Sequence, residues 1–277
     1  MHLPNFIRRT AVYRLALYYL VVLLAAAMGC ALLGILPYSP LNLAFSTLLI
    51  LGVCWLVNML FARSFGAKSS RDSVLITGLI LVLIITPMAP TDGKAIGYAV
   101  FASSWAMASK YMFTINRRHI FNPAAFGAVL AAITLGSSVT WWIGGSLYLL
   151  PFVIGGGILI LLKMSCAEML LAFAAAALAT VMLTSEPALL ASSLSQVVLH
   201  SMFFFFAFVM VTEPHTAPLG RTRRLAYGAI IGIFFAPEIH LGSFYTTPEF
   251  ALLVGNVFAL LSDQRRLQRA RPRPASA

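Results

Sequence analysis

Charge is what this chain has least of. Charged residues fill 10% of its 277 positions, and only eight side chains are acidic. So few charges cannot cover a soluble globule of this size, which excludes a water-soluble fold. Cysteine is also sparse: Cys30, Cys54 and Cys166 stand far apart and suggest neither a disulfide framework nor a cysteine-ligated zinc or iron–sulfur centre. They read as core residues. No set of side chains resembles a nucleophile, a hydrolytic dyad or a metal cluster. What the chain does have is apolar length. Hydrophobic residues make up 60% of it, mean hydropathy is +0.91, and uncharged runs of about 20 residues, the membrane-crossing length, recur throughout.

These features describe an all-α polytopic membrane protein with no sizeable soluble domain. Continuous runs read as helices, because an open sheet would leave backbone groups unpaired in lipid. The expected spans are 14–36, 41–62, 72–88, 95–112, 120–139, 142–162, 167–184, 191–212, 224–238 and 248–262. The ninth and tenth are short, as tilted, interrupted or partly buried helices would be. The first apolar stretch is longer than the core of a secretion signal, and "AAAMGC" is a poor cleavage site, so it is read as a span. With ten crossings and a cytoplasmic N-terminus, eighteen of the nineteen Lys and Arg residues fall on the cytoplasmic side, and only Lys94 does not. That asymmetry is what the positive-inside rule expects, so the net charge of +11 reads as topology. Both termini are then cytoplasmic, in a bacterial inner membrane. The basic tail, 263–277, reads as a segment lying beside anionic lipid and not as a nucleic-acid-binding arm.

The chain forms a single membrane domain over 1–277 whose halves, roughly 11–139 and 142–262, echo each other. Asn122-Pro123 and Thr247-Pro248 each place a capping side chain and a first-turn proline before a span rich in small residues. "LVLIITPMAP" ends the third span and "FAFVMVTEPHTAP" ends the eighth. The paired motifs lie five spans apart, and an odd number of crossings per half makes the two halves an inverted repeat. This geometry puts the start of the fifth span and the end of the eighth at one cytoplasmic depth. A helix N-terminus at Asn122, backed by Arg117, Arg118 and His119, offers amide donors and a positive dipole end to an acceptor-rich ligand. His119, Asn122, Pro123, Thr212, Glu213, Pro214 and Thr216 are the candidate binding residues.

Each of these has a plainer reading. Asn122-Pro123 alone is a good helix start, Glu213 could pair with Arg221 or Arg223, and His119 could be solvated. His200, with Gln196 and Thr77 as available partners, is an intramembrane polar group. A histidine there must face the bundle interior, either in a structural hydrogen bond or as a proton relay or quinone contact. The run "MFFFFAF" at 202–208 suggests lipid or isoprenoid packing, or the packing on lipid and neighbouring helices usual for aromatic spans, Trp141, Trp142 and Tyr148 suggest an outer interfacial belt, and "GGG" at 155–157 suggests close helix approach.

Three stretches carry a family resemblance: "SKYMFTINRRHIFNPAAFG", "DSVLITGLILVLIITP" and "FFFFAFVMVTEPHTAPLGR". They resemble the NqrB/RnfD membrane family, which contains the NqrB component of the Na+-translocating NADH:quinone reductase and the RnfD component of the Rnf electron-transport complex. The resemblance implies a ten-helix bundle with an inverted repeat, distantly similar to urea transporters, that holds flavin and passes electrons within a larger complex. It also implies partner subunits or a redox partner protein; quinone, as a further cofactor, rests on His200 and the aromatic run at 202–208. Members of those complexes carry FMN on the threonine of an S-G-A-T motif. This chain has only "ITLGSSVTWWIGGSL" there, and Thr134 and Thr140 do not substitute, so the implied flavin is noncovalent riboflavin or FMN. The alternatives are a channel or transporter for a small polar solute and a noncatalytic membrane scaffold for a reductase.

Overall fold

The computed structural model describes residues 10–67, 70–115, 118–199, 202–236, 239–241 and 244–263. Arg117, His200 and the tail beyond Asp263 therefore lie outside the described residues. A helix occupies each predicted position: α1 (Val12–Leu32), α2 (Pro40–Ser64), α3 (Arg71–Ile84), α4 (Gly93–Met112), α5 (Pro123–Leu135), α6 (Leu150–Met164), α7 (Ala167–Thr184), α8, α9 (Arg221–Phe235) and α10 (Pro248–Ser262). The α8 element is in two pieces, Pro187–Leu199 and Phe203–Val211. By length and composition α1, α2 and α7 can each cross a membrane, and α8 adds a fourth if its pieces make one span. The other segments are shorter or more polar.

Capping chemistry explains where several of these helices begin. The Asp92 side chain accepts from the Ala95 amide, Asn122 from Ala125 and Thr247 from Phe250, each three residues on, and Pro123 and Pro248 fill the first helical position. At its other end α5 stops at Gly136, whose φ of +67° is the left-handed cap that glycine adopts without a steric cost.

Two small antiparallel hairpins link helices at equivalent places. Strands β1 (Thr114–Ile115) and β2 (Arg118–His119) connect α4 to α5, and β3 (His240–Leu241) and β4 (Phe244–Tyr245) connect α9 to α10. In the first, the Ile120 amide donates to Phe113 O at 2.9 Å; in the second, the Thr246 amide donates to Ile239 O at 3.0 Å. The helices on either side pack in matching order. α2 lies against α3 and α4, α4 against α5, and α1 against α3. α7 lies against α8 and α9, α9 against α10, and α6 against α8. Contacts of α1 with α6 and of α5 with α10 join the two sets.

Small residues set the closest of these contacts, as expected where helices share an apolar medium. A Cβ built on Gly127 would lie 2.2 Å from Ala102 O of α4, and one on Gly228 would lie 2.2 Å from Met169 O of α7. In the glycine triplet, Gly156 meets Tyr19 of α1 and Gly157 meets Phe208 of α8, while Gly155 faces open space.

Two sequence expectations are corrected here. The phenylalanines of 202–208 do not face lipid as a set, because Phe203, Phe205, Phe206 and Phe208 are buried. Phe206 packs on Phe173 of α7 and Phe235 of α9 at ring distances of 5.6 and 5.4 Å. Trp141 and Trp142 are not an interfacial belt either. The segment 140–143 folds back onto the C-terminal end of α3, where Trp141 N donates to Ile84 O and Trp142 Nε1 to Val82 O. Both indoles are buried, and only Tyr148 of the proposed belt is exposed.

The close backbone approach at Gly228 gives a direct test. Gly228→Leu should destabilise the purified protein by about 3 kcal/mol, the upper range for overpacking, read as a lowered melting temperature in detergent. Gly155→Leu should leave that temperature unchanged.

Candidate functional site

At one end of the bundle α1, α2, α3, α4, the first hairpin and the loop after α8 line an open-mouthed cavity of about 860 Å³. Its wall includes Tyr13, Asn58, Ser73, Lys110, Tyr111, Thr114, His119 and His215. Lys110 occupies the last turn of α4, where the helix dipole favours a positive charge. The residue is buried, and its ammonium donates to Ser73 O at 2.7 Å and to Ser73 Oγ at 3.0 Å. Across the cavity the Tyr111 hydroxyl donates to Asn58 Oδ1 at 2.7 Å.

The hairpin brings His119 into the same wall. Thr114 donates its hydroxyl proton to Lys110 O, so at the 3.2 Å contact with His119 Nδ1 its oxygen is left to accept. That contact makes Nδ1 the protonated nitrogen of a neutral ring and Nε2 its acceptor. Burial, aided by the nearby Lys110 charge, pulls the His119 pKa down to about 4. Burial lowers that of His215 too. The His215 ring lies 5.4 Å from the His119 ring and 5.1 Å from that of Tyr13.

Behind the cavity wall a chain of buried amides and a carboxylate ties the two halves together. Asn122 Nδ2 donates to Glu213 Oε2 at 2.6 Å, and the Asn122 amide donates to Asn256 Oδ1 at 2.8 Å. Asn256 Nδ2 in turn donates to the Tyr227 hydroxyl at 3.0 Å. Glu213 follows Phe206–Val211, the part of α8 wound as a π-helix, a wider winding frequent at functional sites. Burial pushes the Glu213 carboxyl up to about 7, against the opposing pull of Lys110 and the Asn122 hydrogen bond. The loop after it is clamped by Arg118, whose guanidinium donates to Pro214 O, His215 O and Ala217 O at 3.1, 3.2 and 2.9 Å. Asp263 at the end of α10 faces Arg118 at 3.8 Å and Arg223 at 2.5 Å.

The sequence-predicted residues therefore meet, though not all in the expected role. His119 lines the cavity. Asn122 and Glu213 are bonded to each other, with Pro123 and Pro214 beside them. At the Asn122 helix start two of the amides are already engaged, that of Asn122 by Asn256 and that of Ala125 by the Asn122 side chain, and Asn122 itself is buried. Thr212 and Thr216 are buried and spend their hydroxyls on Phe208 O and Glu213 O. Glu213 bonds Asn122, while Arg223 goes to Asp263. Of the intramembrane polar set, Thr77 is buried in α3, but Gln196 is exposed on α8 and does not point into the interior.

Lys110, Asn256, Tyr13 and His215 were missed as site residues. Asn256 had a signal, since it is a lone amide inside an apolar helix. Lys110 had the same kind of signal but reads naturally as a flanking charge. Comparison with known proteins adds one match. Residues 143–270, just under half of the chain, match the model of the NQR2, RnfD, RnfE family. No curated protein matches the chain.

The titrations have opposite signs. His119 is held near 4 against an ordinary value of about 6.5, so its stabilising contribution is complete above pH ~6.5 and is lost as pH falls through about 4. Glu213, raised to about 7, costs stability as pH climbs from the ordinary carboxylate range of about 4.3. Melting curves between pH 4 and 7 should therefore flatten at the acid end in His119→Gln and lose their alkaline decline in Glu213→Gln.

Proposed function

We propose that this chain belongs to the NqrB/RnfD family, whose model its residues 143–270 match, and that, as a membrane subunit of an Rnf/Nqr-type electron-transport complex, it holds a noncovalent flavin, riboflavin or FMN, in the Lys110 cavity and passes electrons within that complex. One observation carries this reading: the cavity of about 860 Å³ lies within the range of small-molecule sites, roughly 300–1,000 Å³. Its chemistry suits a flat heteroaromatic ring. Tyr13, His119 and His215 supply ring faces, Asn58, Ser73 and Tyr111 supply hydrogen-bonding groups, and Lys110 supplies one buried positive charge. A bound flavin would accept and release electrons, and the protein supplies its seat and orientation.

In this role Lys110 stabilises negative charge on a ligand edge, and neutral His119 presents Nε2 as an acceptor. Arg118 fixes the loop that carries His215. Asn122, Asn256 and Tyr227 hold the start of α5 against α10 and so keep the hairpin wall in register. The absence of an S-G-A-T sequence supports noncovalent binding.

The reading includes ten crossings in two inverted halves, both termini cytoplasmic, in a bacterial inner membrane. Several observations support it. The two sets of helices pack in matching order, each half carries a hairpin before its capped proline helix, and α5 and α10 start at opposite ends of the bundle. α5 begins beside Glu213, whereas α10 ends there, with Asp263 facing Arg118. At 13 to 15 residues, α3, α5, α9 and α10 span only about 20 Å at 1.5 Å per residue, so their loops complete the crossing of the roughly 30 Å core.

The purified protein should show the visible absorption of oxidised flavin, released completely by denaturation. Lys110→Met and His119→Leu should each weaken flavin retention about tenfold, the equivalent of one charge-assisted hydrogen bond. A colourless protein that makes liposomes permeable to small polar solutes would overturn this reading in favour of a channel.

A further inference from the structure

We propose that Glu249 is a proton-binding site at the end of the bundle opposite the Lys110 cavity, with Trp141 holding its carboxyl group and Tyr98 as the hydroxyl through which the proton is exchanged. This is independent of any ligand in the cavity. Tyr98 and Lys110 lie on the same helix, α4, about 18 Å apart at 1.5 Å per residue.

Glu249 is the second residue of α10 and only 3% exposed. Its Oε1 accepts from Trp141 Nε1 at 2.5 Å. Among the described residues no cation faces it: Asp72 pairs with Arg14, Glu168 with Arg224, and Asp263 with Arg118 and Arg223, but Glu249 forms no ion pair. A buried carboxylate without a counter-charge is costly, and neutralising it by a proton removes that cost. Intramembrane acids are for this reason default candidates for proton sites.

Two further observations point to exchange as opposed to a permanently neutral acid. The Tyr98 hydroxyl is buried and has no hydrogen-bond partner, in a residue 8% exposed near the start of α4. A donor left unused at the same end of the bundle as a buried acid is a candidate to pass a proton or to hold the water that does. Trp141, moreover, has a φ of +53°, a left-handed conformation that is an outlier for so bulky a residue. It is pinned there by the bonds of the Thr140 and Trp141 amides to Ile84 O. Strain of this kind persists where surrounding structure over-determines it and clusters at functional sites.

Other titratable groups on the elements around Glu249 are few among the described residues: on the hairpin leading into α10, His240 and Tyr245 are exposed and face each other at a ring distance of 5.1 Å. α5 and the Phe203–Val211 piece of α8 carry no ionisable side chain, and α9 presents Tyr227, which is committed to Asn256 seven residues further along α10. Asp92 and Lys94 at the start of α4 are exposed. The step itself is a simple acid equilibrium. The carboxylate takes one proton from water and returns it, the local charge changes by one, and no electron moves.

Tryptophan emission reports this directly, because the indole of Trp141 is bonded to the titrating group. In detergent-purified protein, a pH titration should show one step in emission that is lost in Glu249→Gln and in Trp141→Phe, retained in Trp142→Phe and displaced in Tyr98→Phe. An infrared difference spectrum across the same step should contain the carbonyl band of a protonated carboxyl, and Glu249→Gln should remove it. A step that survives Glu249→Gln, a wild-type protein with neither step nor band, or a step reproduced by adding sodium at constant pH would each overturn the proposal.

Discussion

A polar group buried in an apolar bundle must find its partner within the protein, and for Asn122 the partners come from the other half of the sequence. Asn122 bonds Glu213 and Asn256, residues 91 and 134 positions away. Without them these groups would lie unpaired in low dielectric, where an amide or carboxylate is far more costly than when it is paired. This constraint pins α5 to α10 and to the end of α8, and the placement of the hairpin wall follows from it.

With the start of α5 held in place, the hairpin before it has little freedom. It delivers His119 to the cavity and Arg118 to the carbonyls after Glu213, so one two-stranded turn both lines the cavity and closes its edge. Lys110 is fixed independently, by Ser73 on the neighbouring helix. The cavity can remain open because the polar groups around it are mostly satisfied by one another and do not need to collapse inward.

Helical membrane character was legible because it depends on composition and run length, which are properties of the chain itself. The pairing of Asn122 with Glu213 was legible for a related reason: a capped proline helix and a Thr-Glu-Pro helix end each announce a terminus, and the bond between the two side chains shows those termini meeting. The roles within that pair were not. A capping asparagine looks from sequence like an open anion seat, and only packing reveals that its own amide is taken by Asn256 and its side chain by Ala125 and Glu213. Trp141 and Trp142 were misread because an aromatic pair after an apolar run is ordinarily interfacial, and nothing local shows that the segment folds back over the end of α3.

The sequence by itself determined the helical class, the positions of the ten segments, the caps that start α4, α5 and α10, and the small residues available for close contact. These follow from local rules of solvation, hydrogen bonding and chain stereochemistry, which act over a few residues. The tertiary structure alone decided that Lys110 faces a cavity, that Asn256 receives the Asn122 amide, and that Glu249 lies buried against Trp141 with no opposing charge. Each of those depends on which distant helix fills the neighbouring volume, and long-range packing is not encoded in any single stretch of chain.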